Sequence, residues 1–129
     1  MVFSHNGNRS TKDNNTWAIV GRKYKLESIL RREKRNLCIQ GEICGPSIQN
    51  NIYNFPNYRL NVYKVTDTDT GIPLQYKELE RFCRCNMLSM VPVLEVDVPL
   101  PDTLNEVLTD CEGTSVYGDK IPREGIVWR

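Results

Sequence analysis

Three things are scarce in this chain: a surplus of charge of either sign, long apolar runs, and cysteines in paired spacing. Lysine and arginine number 17 against 16 aspartates and glutamates, a formal net charge of +1. No global field therefore marks a nucleic-acid or membrane partner, and any contact of that kind must rest on local patches. No segment reaches the roughly 18 consecutive apolar residues of a spanning helix, and the N-terminus carries neither a basic n-region nor an apolar h-region. The five cysteines, Cys38, Cys44, Cys83, Cys85 and Cys111, are odd in number and lack the spacing of a secreted disulfide framework. These absences predict a soluble, intracellular protein of a reducing compartment, cytoplasmic, with no membrane partner.

What is present suffices for one folded unit. A chain of 129 residues fits a single domain that buries about two-thirds of its unfolded surface. The composition of residues 5–16, rich in Asn, Gly, Ser and Thr, predicts a mobile loop. Trp17, Val20 and Tyr24, then Leu26, Ile29 and Leu30, repeat a helical period that predicts one broken helix or two short ones, ending in the basic run Arg31-Arg32-Glu33-Lys34-Arg35. Cations suit a solvated helix end, and they also suit phosphate. A second strand is expected over 59–66, with Leu60 and Val62 on one side and Tyr63 and Val65 divided by the period on the other. Tyr76, Leu79, Phe82 and Cys83 share one face of a helix over 76–87. A strand over 91–98, a helix over 103–110 with Leu104, Val107 and Leu108 inward, and a strand from Glu124 complete the reading. Both ends of the chain read as cut through strands.

The most site-like stretch is Leu37-Cys38-Ile39-Gln40-Gly41-Glu42-Ile43-Cys44-Gly45-Pro46-Ser47-Ile48-Gln49. On a strand, Cys38, Gln40, Glu42 and Cys44 share one face, and Leu37, Ile39, Gly41 and Ile43 the other. Ile39 and Ile43 then face the core, and Glu42 faces a cleft or water. Glycines beside a carboxylate suggest a place where a ligand approaches the backbone. Metal motifs elsewhere are weak. Asp67, Asp69 and Glu78 fit a calcium loop except that its glycine is misplaced, and Cys83-Arg84-Cys85 supplies only two sulfurs toward a tetrahedral site.

Three strings taken together, Gln40-Gly41-Glu42-Ile43-Cys44-Gly45-Pro46-Ser47-Ile48-Gln49, Val62-Tyr63-Lys64-Val65 and Arg123-Glu124-Gly125-Ile126-Val127, resemble ATP-dependent RNA ligases of the nick-sealing type. These belong to the covalent nucleotidyltransferase superfamily shared with DNA ligases and RNA capping enzymes. The resemblance runs in order along nearly the whole chain. It implies that residues 1–129 are part of a nucleotidyltransferase (ATP-grasp-like ligase) domain of α+β class, a mainly antiparallel sheet with flanking helices. It further implies that Gly41 and Glu42 form the third motif beside the ribose, that Tyr63 stacks on adenine, and that Glu124 and Gly125 form the fourth. Glu42 and Glu124 would be the catalytic, metal-holding carboxylates. Ser4-His5-Asn6 is similar to the family's Ser-Arg-Asn element, so His5 and Asn6 are the expected RNA or phosphate contacts, with His5 in an arginine's place and mostly neutral at pH 7. ATP and Mg2+ or Mn2+ are the implied cofactors, and RNA ends the implied partner.

The sequence also departs from the pattern. The family's nucleophilic lysine lies in Lys-x-Asp-Gly, and no lysine here is followed by x-Asp-Gly. The family's last motif, with two lysines, is missing after Glu124-Gly125. The attack of a lysine amine on the α-phosphate needs that residue, with cations and carboxylates to neutralise the growing charge. The expectation is a fragment of the adenylation domain that is inactive alone, with a complementary fragment as a possible partner carrying the missing motifs. The alternative is a non-catalytic nucleotide- or RNA-binding module that keeps the pocket. A plainer reading leaves Glu42 and Glu124 as solvated acids and Tyr63 as a half-buried strand aromatic.

Overall fold

The computed structural model describes residues 2–4, 7–9 and 14–128. Val2–Ser4 (β1) and Gly7–Arg9 (β2) pair as an antiparallel hairpin, so a loop over 5–16 is corrected at 7–9, and Thr16 already opens a helix. His5, Asn6 and the rest of 10–13 lie outside the described residues.

Two short helices follow. Helix α1 (Thr16–Lys23) starts where the Asn15 side chain accepts the Ala18 N–H at 2.9 Å, satisfying a donor that the helix cannot use itself. It ends in Arg22 and Lys23, cations at the negative end of the dipole. Lys25 takes a left-handed φ of 52°, which breaks the path before helix α2 (Leu26–Arg32). The basic run beyond it is partly engaged: Arg31 pairs with Glu27, Arg32 donates to Asn86 and Arg35 pairs with Glu78.

The central sheet has the order β3 (Leu37–Cys44), β4 (Arg59–Asp67) and β5 (Ser89–Met90). The β3–β4 pair is antiparallel and the two-residue β4–β5 contact is parallel. Helix α3 (Tyr76–Cys85) joins them. Leu79, Phe82 and Cys83 of α3 are buried with Val20, Ile29, Leu60, Val62, Val65 and Leu88 in one core, and Ile39 and Ile43 pack against it. Burying side chains of this size contributes about 1.5–3 kcal/mol each, so this layer of helices on sheet carries the fold. The protein is thus α+β, a mainly antiparallel sheet flanked by helices.

A bulge corrects the expected alternation of β4. Gln40 pairs with Lys64, but Gly41 pairs with Val62, so the register skips Tyr63. Because one extra residue reverses the phase of the pleat, Val65 lies in the same core as Leu60 and Val62, not opposite them.

The last third departs most from expectation. Residues 91–98 form no strand, and Val93, Leu94, Val96 and Val98 are exposed. Helix α4 (Leu104–Cys111) forms with a capping box, Thr103 accepting the Glu106 N–H and Glu106 accepting the Thr103 N–H. Its apolar face is not inward, since Leu104 is 72% and Leu108 55% exposed. The capping box satisfies orphan donors at the start of this helix although its apolar face is uncovered. The expected strand from Glu124 is replaced by an earlier hairpin of β6 (Thr114–Ser115) and β7 (Gly118–Pro122), with 123–128 irregular. No helix among the described residues is long and apolar enough to cross a membrane.

Candidate functional site

Strand β3 sorts its side chains as alternation requires. Ile39 and Ile43 turn to the core, and Glu42 is exposed. Cross-strand pairing places Glu42 opposite Asn61 and Gln40 opposite Lys64, with the bulged Tyr63 beside Gly41. The bulge therefore brings the Gly41-Glu42 pair and the half-buried Tyr63 to one point of the sheet.

The glycines have a different cause from the one the sequence suggests. A Cβ on Gly41 would lie 2.8 Å from the Asn61 carbonyl oxygen and from Leu60 Cδ1, so glycine is required by the neighbouring strand rather than by a ligand. Gly45 has φ +136° and a Cβ there would meet Tyr58 Cα at 2.9 Å. This close approach turns the chain after β3 into the 3-10 turn Gln49–Asn51. Asn51 then clamps the loop, donating to the Phe55 carbonyl and accepting the Phe55 N–H.

An aromatic cluster absent from the sequence reading closes this side. Tyr53, Phe55 and Tyr117 have ring centroids 5.2–5.6 Å apart, and the Arg59 guanidinium lies 4.1 Å from the Phe55 ring centre. The loop after β3 is thereby tied to the β6–β7 hairpin, which leads directly into Arg123 and Glu124. No periodicity marks such a loop-to-hairpin contact. The run of aromatics at 53, 55 and 58 in an Asn-rich segment is the one available signal.

The two acids act on the same neighbouring side chains. Burial pushes the Cys44 thiol above its ordinary range, and the carboxylates of Glu42 and Glu124 both push it further, against a hydrogen bond from Asn61. Burial likewise raises the Tyr53 hydroxyl, followed by Glu124 and, more weakly, Glu42. Tyr117 is raised by burial and then by Cys44. Two carboxylates separated by about 80 residues of sequence thus act on the same thiol and the same phenol. Neither takes part in the two ion pairs found among the described residues.

Exposed carboxylate oxygens are hard donors that fit Mg2+ or Mn2+. Among the described residues no group of three His, Cys, Asp or Glu side chains converges, so a cation here would keep waters or take ligand oxygens, as such ions do. Tyr63 sits in the bulge next to Gly41, and a ring beside a cation site would suit a nucleotide whose base stacks while its phosphates meet the metal. Arg123, which the sequence leaves open to phosphate, directs its guanidinium to backbone carbonyls instead.

Comparison with known proteins gives a consistent picture. A model of the RNA ligase family matches residues 1–129. Among curated protein sequences none matches. Solved structures of Naegleria gruberi RNA ligase do match. A mutant with AMP and Mn is 27% identical at a TM-score of 0.81, and a mutant with ATP and Mn is 26% identical at 0.80. A third, with PPi, is also 26% identical at 0.80. Each match covers 92% of this chain and 36% of that chain, so the chain spans little more than a third of the ligases it resembles.

Proposed function

Since this chain belongs to the RNA ligase family, we propose that it is the part of an ATP-dependent RNA ligase's adenylation domain that receives the nucleotide and its metal. The observation that carries this reading is the bulged β3–β4 register, which sets Tyr63 beside Gly41 and Glu42, with Glu124 acting on the same thiol as Glu42. In this reading Tyr63 is the shelf for adenine, and Glu42 and Glu124 hold Mg2+ or Mn2+ against the phosphates. The metal supplies charge neutralisation at the phosphate when bound. Gly125, with φ +156°, lets the chain bend beside Glu124, and Gly41 lets β4 come close to β3 beside Glu42. His5 and Asn6 contact RNA or phosphate, and RNA ends are the substrate of the complete ligase, in a reducing, cytoplasmic setting.

The 129 residues contain no Lys-x-Asp-Gly, and by themselves they bind nucleotide without capturing it covalently. A polypeptide that supplies that motif, joined to this one or separate, completes the reaction. Incubation with labelled ATP and Mn2+, followed by denaturing electrophoresis, leaves this chain unlabelled, while filter binding detects reversible ATP association. Tyr63→Ala weakens that association by about tenfold, within the roughly 1–3 kcal/mol of one stacked base. A covalent band on the 129 residues alone contradicts the division of labour. Absence of ATP binding by a folded sample removes the nucleotide reading.

A further inference from the structure

Glu124 sits on a segment with no strand pairing of its own, so something else must fix it. The residue before it is held unusually well. The Arg123 backbone N–H donates to the Gly113 carbonyl at 2.8 Å. Its guanidinium donates to the Asp110 carbonyl at 2.5 Å, to the Cys111 carbonyl at 3.4 Å and to the Glu112 carbonyl. These are carbonyls that helix α4 leaves unsatisfied at its C-terminal end. Helix α4 has no basic residue in its own last turn, so Arg123 supplies from outside the cation that the helix end favours. Gly113 has φ +135°, and a Cβ there would come 3.0 Å from Arg123 Nη2. The guanidinium fills the space that glycine leaves.

The other end of the hairpin is fixed by the Tyr117 ring against Tyr53 and Phe55. Glu124 therefore directly follows two anchors, the aromatic cluster at Tyr117 and the Arg123 clasp on α4. We propose that Arg123 is a positioning residue for Glu124, its fork on the α4 carbonyls setting where the neighbouring carboxylate points. The use of that carboxylate for a metal rests on the function proposed above. The clasp itself does not.

The test follows Mn2+ alone, by the electron paramagnetic resonance of the free ion, together with amide hydrogen exchange, both on the full 129-residue chain. Arg123→Ala weakens Mn2+ binding by about tenfold, the low end of the range for residues that orient a ligand. It also opens amides of residues 113–126 to exchange, while residues 37–85 stay protected. Arg123→Lys, which keeps the charge without the fork, falls between, and it decides the matter if Arg123→Ala loses protection in 37–85. Adding Arg123→Ala to Glu124→Gln produces no further loss of Mn2+, because the first acts through the second. Full additivity of the two, or wild-type Mn2+ binding in both Arg123 variants, overturns the proposal. If Glu124→Gln alone leaves Mn2+ binding unchanged, the metal reading of Glu124 fails. Exchange at 113–126 then decides the clasp separately, and unchanged protection in Arg123→Ala overturns it.

Discussion

The two acidic residues of the candidate site stand on foundations of different kinds. Glu42 rides on β3, whose opposite face is packed against a core in which Val62 and Val65 are completely buried. Glu124 follows a short hairpin in a region where most large apolar side chains, from Val93 to Leu108, are exposed. One half of the site is set by hydrophobic packing, which is strong and non-directional. The other is set by a few directional contacts, the arginine fork and three rings. The first half should survive perturbations that release the second, because local stability varies across a fold with the density of buried contacts.

That contrast can be broken most severely at the core. Phe82→Ala should cost about 3–5 kcal/mol, as large-to-small core changes do, and should release both acids together in urea unfolding. Leu104→Ala, on an exposed face, should stay within about 0.5 kcal/mol. Equal effects from these two would erase the distinction between the regions. Gly41→Ala comes next. Its Cβ would press on the Asn61 carbonyl, an overpacking worth about 1–3 kcal/mol, and a loss of ATP binding larger than the loss of stability would place the bulge at the centre of the site. Thr103→Ala removes one arm of the capping box and should cost about 1 kcal/mol, confined in hydrogen exchange to α4 and leaving β3 and β4 unchanged.

Proton binding offers the mildest probe. Burial pushes the Cys83 thiol up to about 11 from 9.0. The unfolded chain therefore gives up this proton first, and the stability from keeping it is whole below pH 9.0 and is lost as pH rises to about 11. Denaturant midpoints should decline across that window, less steeply in Cys83→Ala. An equal slope in the variant would assign the decline to other groups.

Much of the packed half was legible in the sequence. The period of Leu79, Phe82 and Cys83 gave helix α3, and the alternation around Ile39 and Ile43 gave the face on which Glu42 stands. These signals are local, since each side chain's direction follows from its position in one element. Val65 escaped because a bulge is a property of two strands, and β4 alone does not announce it. Residues 91–98 alternate as a strand would, yet no strand forms, because a pattern of apolar residues needs a partner to pair with and among the described residues none is there. The aromatic cluster and the Arg123 clasp join segments far apart in sequence through side chains, and no spacing rule reaches them. His5 and Asn6 lie outside the described residues.

The bulge at Tyr63 has one more consequence. Leu60, Val62 and Val65 would keep strict alternation if the chain were one residue shorter at 63, with Lys64 directly following Val62 and every pair from Leu37 to Cys44 retained. Tyr63 is supernumerary to the ladder: the sheet's architecture is complete without it. If Tyr63 is the adenine shelf proposed above, the residue that stacks stands apart from the ladder pairs that hold the sheet together.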